Sequence, residues 1–181
     1  MADAQNPQGL LAVCRLPAVE LEEVLVAGPR VVAVLAHVRD PGNAGTVIRA
    51  ADAAGAGAVV VSKGSVDAYA PKVVRSTAGS LFHLPVVTGM PLAAVVDQLR
   101  SGGLRILAAD GTGDRTVDRV DLTAPHAWLF GNESWGLRPE DLVMSDEVIR
   151  VPIHGHAESL NLAMAATICL YASAAAAAAA P

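Results

Sequence analysis

The sequence predicts an α/β fold, a mostly parallel sheet with helices on both faces, and three observations lead there. Apolar runs bounded by glycine and proline alternate with segments of helical period, the pattern of strands joined by helical crossovers. Alanine and valine dominate, with 35 Ala and 24 Val among 181 residues against six aromatic residues, which suits thin helices laid over Val-rich strands. A hydrophobic share of 52% with a charged share of 17% excludes an intrinsically disordered chain, and the length suits one compact domain.

Residues 1–29 stand outside the alternation. Residues 8–13 are a short apolar piece, and residues 16–26, carrying Glu20, Glu22 and Glu23, read as a linker helix. Residues 31–36 form a continuous apolar run, the mark of a strand buried on both faces. Asp40-Pro41-Gly42-Asn43 then breaks the chain, and residues 44–54 have helical character closed by Gly55. A second strand is expected at 58–61, a helix at 70–78 with Pro71 in its first turn, and a third strand at 84–87. A helix at 92–100, closed by Gly102-Gly103, leads to a fourth strand at 104–109. A fifth strand at 128–130, a short helix at 139–144 and a sixth strand at 148–151 follow. The last helix is expected to start near Ser159 and to run into the alanine tract.

The formal net charge of −5, with a sequence pI near 5.4, speaks at face value against a nucleic-acid partner. The total hides an asymmetry. Residues 30–90 carry six basic against three acidic groups, whereas residues 91–181 carry six against eleven, so the early half of the sheet is locally cationic. Two isolated cysteines, Cys14 and Cys169, without CxxC or His/Cys spacing, disfavour a zinc site or a disulfide framework and fit a reducing cytoplasm. Met1 to Leu10 lacks the basic and apolar regions of a secretory signal. Residues 162–180 are uncharged over membrane length, but more than half are Ala, a strong helix former and a weak driver of insertion. A packed C-terminal helix, with no membrane partner, is the expectation.

Three segments can carry chemistry. In Asp40-Pro41-Gly42-Asn43-Ala44-Gly45-Thr46-Val47-Ile48-Arg49, two glycines at a strand-to-helix turn admit close approach and a helix N-terminus offers free N–H groups. Asn43 can cap that helix, and Arg49 stands about one and a half turns further on. A capped helix with one surface arginine is the bland alternative. In Leu129-Phe130-Gly131-Asn132-Glu133-Ser134-Trp135-Gly136-Leu137, a strand ends in a polar pair at a sheet edge, where open α/β folds place ligands. Glu133 is there either a solvated turn residue or a functional carboxylate. In Val151-Pro152-Ile153-His154-Gly155-His156-Ala157-Glu158-Ser159-Leu160-Asn161, Ser159 is a plausible N-cap, while Asn161 sits poorly inside an Ala-rich helix. His154 and His156 lack the further ligands that a metal site needs, so no metal is expected. Gly111-Thr112-Gly113 is only a fragment of a dinucleotide fingerprint, and no G-x-S-x-G, P-loop or H-E-x-x-H occurs.

Taken together and in this order, the three segments resemble the motifs of the SpoU-type (TrmH-like) branch of the SPOUT RNA methyltransferase superfamily. The resemblance runs over about residues 30–173 and rests on Asn43 to Arg49, on Gly131-Asn132-Glu133 with Gly136-Leu137, and on Pro152 to Asn161. It implies a knotted α/β domain, with the C-terminal part in a deep trefoil knot, and a homodimer with its active site near the dimer interface. It further implies S-adenosylmethionine as cofactor, bound by Ala109, Gly131, Asn132, Val151, Ile153 and Leu160 largely through backbone groups. Asn43, Arg49, Glu133, Ser159 and Asn161 would form the catalytic group. Arg39, Arg49, Lys72 and Arg75 would contact RNA, which would bind weakly and with strong salt dependence. The reaction implied is methylation of a ribose 2′-hydroxyl in rRNA or tRNA. A non-catalytic RNA-binding or assembly module on the same fold is the alternative, and a Rossmann-type nucleotide enzyme is a third reading.

A guanidinium with a pKa above about 12 is a poor general base. Arg49 is therefore expected to hold a phosphate and stabilise a developing alkoxide, with Asn43 and Ser159 orienting it, while the proton leaves through water or the RNA. Residues 6–13 resemble the closing segment of the RNA-capturing domain that many relatives carry. Residues 1–29 are accordingly expected to be a linker or a remnant of such a domain, 30–173 the catalytic domain, and 174–181 the end of an Ala-rich helix or a tail. A minimal single-domain tRNA methyltransferase is the competing expectation.

Overall fold

The computed structural model describes Gly9, residues 12–17 and residues 19–179. Half of the apolar piece at 8–13, and most of the segment at 6–13, lies outside them. Seven strands form one sheet: β1 (Val31–Leu35), β2 (Ala58–Val61), β3 (Val86–Thr88), β4 (Arg105–Ala109), β5 (Arg115–Thr116), β6 (His126–Phe130) and β7 (Glu147–Arg150). Their order is β3-β2-β1-β6-β4-β7-β5, and every neighbouring pair is parallel. The helices are α1 (Leu21–Val26), α2 (Pro41–Ala53), α3 (Pro71–Ser76), α4 (Leu92–Ser101), α5 (Pro139–Leu142) and α6 (Leu162–Ala179).

The continuous apolar runs behave as two-sided strands. Along β1, Ala33 and Leu35 point into a core with Val47, Ile48, Trp128 and Phe130, whereas Val32 and Val34 point into a second core with Leu99, Ile106 and Leu129. Helices α2 and α6 cover the first face and α1 and α4 the second, so the two cores share one sheet. In α6 the uncharged stretch packs through Ala163, Ala166, Cys169, Leu170 and Ser173. By length and composition this helix also meets the criteria for a membrane span, with 28% of its apolar window buried. A buried polar knot anchors it. Trp128 Nε1 donates to Ser173 Oγ at 2.9 Å, and His126 Nε2 lies 2.8 Å from the same oxygen.

Several boundaries differ from the sequence reading for local reasons. The linker helix begins only at Leu21, because Leu21 and Val24 are the residues there that find a core, and Glu20 before them is extended (φ −91°, ψ 146°). The third strand lies at Val86–Thr88 rather than 84–87. Strand β5 has two residues and no apolar run to announce it. The final helix starts at Leu162, not Ser159, since residues 151–161 form an irregular, largely exposed loop that Asn161 terminates.

Candidate active site

The parallel register brings four strand ends level. Leu35 and Ala109 both pair with Phe130, and Ala109 also pairs with Ile149, so the chain leaves β1, β6, β4 and β7 at one edge. That C-terminal edge is where parallel α/β sheets open toward ligands. It carries a cavity of about 300 Å³. Ala109, Gly131, Asn132, Val151, Ile153 and Leu160 all line it, as do Glu133 and Ser159.

The loop after β6 is built tightly. Asn132 and Gly136 exchange both backbone hydrogen bonds at 2.9 Å, Asn132 Oδ1 accepts from Ser134 N at 2.8 Å, and Gly136 adopts φ +68°. A Cβ at Gly131 would overlap the backbone of Gly136 and Leu137, so only glycine lets the two arms of the loop touch. Asn132 Nδ2 donates to the carbonyl of His37 at 2.8 Å, which spends its amide on the loop. His37 itself takes φ +58°, a left-handed conformation uncommon outside glycine. Its Nε2 accepts from Arg138 Nη2 at 2.8 Å, and Arg138 Nε donates to Asp141 Oδ2 at 2.9 Å. Burial pushes the Asp141 carboxyl up, but the Arg138 hydrogen bonds outweigh it and hold the group below the usual carboxylate range.

Beside the cavity runs a chain of side chains. Glu133 accepts the backbone N–H groups of Arg39 (3.2 Å) and Asp40 (3.0 Å), and Asn43 Nδ2 donates to Glu133 Oε1 over a long 3.5 Å. Asn161 Nδ2 donates to Asn43 Oδ1 at 3.0 Å, while Asn161 Oδ1 accepts from Ala163 N at 2.8 Å. A backbone N–H at one end and a carboxylate at the other set which way both amides point. Glu133 is thus an anchored carboxylate that joins the turn before α2 to the loop after β6.

Two capping assignments change. The N-cap of α2 is Asp40, whose Oδ1 accepts from Asn43 N at 2.7 Å, and Pro41 opens the helix. Asn43 sits inside the first turn, which frees its amide for Glu133 and Asn161. At α6 the side-chain cap is Asn161 rather than Ser159, which explains an asparagine that helix propensity did not. Ser159 is exposed at the cavity and makes no side-chain hydrogen bond among the described residues.

Arg49 does not join the chain. Six residues past Asn43 place it about 9 Å along α2 and about 120° around it, and it is exposed without an ion pair among the described residues. Lys72 and Arg75 are exposed on α3, which packs on α2. The Arg39 guanidinium lies 5.5 Å from the centre of the Trp135 ring. No group of three or more His, Cys, Asp or Glu among the described residues is arranged to hold a metal ion, and His154 and His156 are exposed.

Among the lining residues that escaped the sequence reading are Asp110, Gly136 as a wall, and Glu158. The Gly111-Thr112-Gly113 fragment was the one signal near Asp110, whose Oδ1 accepts from Thr112 N at 3.0 Å. With Glu133 they give the cavity three carboxylates and no Lys or Arg, against apolar walls from Ile149, Val151, Ile153 and Leu160.

Residues 30–171 match the model of the SpoU rRNA Methylase family. The chain is 39% identical over 171 residues to the 23S rRNA (guanosine(2553)-2'-O)-methyltransferase RlmP of Bacillus subtilis, a match covering 94% of this chain and 66% of that protein. It is 38% identical over 172 residues to the 23S rRNA (uridine(2479)-2'-O)-methyltransferase of Streptomyces viridochromogenes, covering 92% and 60%. Its fold is similar to the crystal structure of the SpoU methyltransferase AviRb from that organism in complex with the cofactor AdoMet, with a TM-score of 0.80, 36% identity, and coverage of 88% of this chain and 65% of that one. The chain spans 60 to 66% of the length of these relatives.

Proposed function

The chain belongs to the SpoU rRNA methylase family, and from that premise we propose that it transfers a methyl group from S-adenosylmethionine to a ribose 2′-hydroxyl of RNA, with rRNA the first substrate to test and tRNA the second. The observation that carries this reading is a cavity with apolar walls, three carboxylates and no cationic side chain, set directly against the Glu133–Asn43–Asn161 chain. Ile149, Val151, Ile153 and Leu160 suit a flat heteroaromatic group, and Asp110, Glu133 and Glu158 suit a cation, so the lining fits a sulfonium nucleoside.

When bound, the cofactor supplies an activated methyl group on a sulfonium. The protein's work is then alignment and proton release. Ala109, Gly131, Asn132, Val151, Ile153 and Leu160 form the binding wall. Glu133, held by two backbone N–H groups, orients Asn43, and Asn161 sets the polarity of Asn43 from the other side. Ser159 stands free at the cavity to hydrogen-bond the ribose. Arg49, permanently charged, holds a phosphate next to the reacting sugar and stabilises its alkoxide. The proton leaves through water or the RNA. Arg39, Lys72 and Arg75 add phosphate contacts.

Arg49 points away from this group within one chain, which favours a homodimeric site. Met164, Ile168 and Tyr171 support a dimer: they recur at helical spacing on α6 and stay exposed at 62%, 41% and 51%. A trefoil knot accounts for the path after β7, which lies between β4 and β5 although residues 110–114 join those two strands, and whose chain returns to pack α6 on α2. The family match spans residues 30–171, which supports a division into a linker at 1–29, a catalytic domain at 30–173 and a helix end at 174–181. A cytoplasmic location is where rRNA and tRNA are met.

Calorimetry with S-adenosylmethionine and transfer of radiolabelled methyl to rRNA and tRNA, with alkali-resistant dinucleotides scored as 2′-O-methylation, test the proposal. Cofactor binding with no transfer to either RNA would favour the non-catalytic module. Arg49→Lys is expected to lose at least tenfold in turnover, because a lysine cannot reproduce the guanidinium fork. Near-normal turnover would remove Arg49 from that role.

A further inference from the structure

The chain has two tryptophans with opposite fates. Trp128 is fully buried in the sheet, whereas Trp135 is 50% exposed at the tip of the loop after β6. That loop is held by the paired Asn132–Gly136 bonds, so the exposed ring sits on a rigid support. The neighbours of Trp135 on both sides, Ser134 and Gly136, line the cavity, and Glu133 stands two residues away. Arg39 lies against the ring at 5.5 Å and donates its backbone N–H to Glu133. Glu133, which anchors the Asn43–Asn161 chain, thus also fixes the backbone of Arg39, whose guanidinium lies by the indole.

From this arrangement we infer that Trp135, backed by Arg39, is a stacking platform for one unpaired base of the RNA, a role that rests on the methyltransferase reading above. An RNA sugar offered at the cavity mouth carries its base, which has to go somewhere once unstacked. Single-stranded RNA is gripped by laying its bases on aromatic rings and arginine planes. A tryptophan held in place by a cation spends little entropy on that contact, and the cation enriches the platform electrostatically for a nucleotide. Lys72 and Arg75 on α3 are exposed cations that RNA phosphates can reach from solvent. The contact selects unpaired nucleotides over duplex, because a paired base cannot present its face. Trp135 is a positioning residue for the substrate and does not touch the methyl group.

The test is a titration of the full chain with a single-stranded octaribonucleotide carrying 2-aminopurine, whose fluorescence falls on stacking. Wild type is expected to quench it saturably. Trp135→Ala is expected to weaken binding about 5- to 100-fold, the loss of one base–aromatic stack, with Trp135→Phe recovering most of it. The two variants should bind S-adenosylmethionine as wild type does and keep its oligomeric state. In rRNA methylation, Trp135→Ala should raise KM more than it lowers kcat. Equal binding of the octamer by wild type and Trp135→Ala, or no saturable binding by wild type, overturns the platform. An altered oligomeric state in Trp135→Ala overturns it as well, since it would make Trp135 an interface residue. Failure of wild type to bind the cofactor would instead defeat the methyltransferase reading, and the octamer titration reads Trp135 independently of it.

Discussion

Asn161 carries two loads that substitution can separate. Its Oδ1 accepts from Ala163 N at 2.8 Å and caps α6, while its Nδ2 donates to Asn43 Oδ1 at 3.0 Å. Asn161→Ala removes both. Losing the cap costs about 1 kcal/mol, which at 2–4 °C per kcal/mol lowers Tm by about 2–4 °C in a chain of this size. Asn161→Asp keeps an oxygen for Ala163 N and adds a negative charge at a helix N-terminus, so its Tm should stay within about 1 °C of wild type or rise. The aspartate has no donor for Asn43. Either two oxygens face each other, or the Asn43 amide flips and turns its own oxygen on the Glu133 carboxylate. The contact is exposed, so in the resting protein the two side chains can part into solvent at little cost to the fold. Holding them together for transfer would cost roughly 1.5–3 kcal/mol, so methyl transfer should fall about 10- to 150-fold while stability is kept. Thermal melts and single-turnover transfer to rRNA, run on the three proteins, make the comparison. A stable Asn161→Asp variant with transfer within threefold of wild type would refute the argument that this amide sets the polarity of the site.

Gly131→Ala should weaken S-adenosylmethionine binding at least tenfold by calorimetry, since a methyl group there meets the backbone of Gly136 and Leu137. Gly155→Ala, where a Cβ has open space, should bind as wild type. Ser173→Ala leaves Trp128 Nε1 and His126 Nε2 buried without their partner, and should lower stability by about 2 kcal/mol or more in urea titrations. Burial holds the His126 pKa below its ordinary value of 6.5, so the unfolded chain binds more protons just below that pH. This contribution to stability is complete above about pH 6.5 and is lost as the pH falls toward the folded pKa. The urea midpoint should therefore decline from pH 7 to pH 5 in wild type, and this component should be missing from His126→Gln. Cys169 is buried and its thiol is pushed up to about 12, whereas Cys14 is exposed. A thiol reagent should count one fast cysteine in the native protein and two in denaturant, and two fast thiols at neutral pH in the native state would contradict the packing of α6.

Strand identity and the two-sided sheet were legible because both rest on local pattern. Residues 31–35 and 58–61 are apolar at every position, of strand length and mostly valine, which favours strands over a buried helix. The candidate site was legible as three segments because glycines and polar residues interrupt the apolar pattern around Asn43, Gly131 and Ser159. What the segments do to one another was not. Asn43 read as a helix cap, yet Asp40 is nearer the break and takes the cap, which releases Asn43 for Glu133, 90 residues away. Asn161 looked misplaced in a helix that in fact begins one residue later. Asp110 and Glu158 were invisible as lining residues, because no local period records which loops a parallel register will bring to one edge. Tertiary structure alone decided that Asp110, Glu133 and Glu158 gather at the cavity, whereas the offset of Arg49 from Asn43 follows from helix spacing. Sequence pattern is set by the burial of neighbours along the chain; the charge of a cavity is set by strand order, which joins loops that lie far apart in sequence.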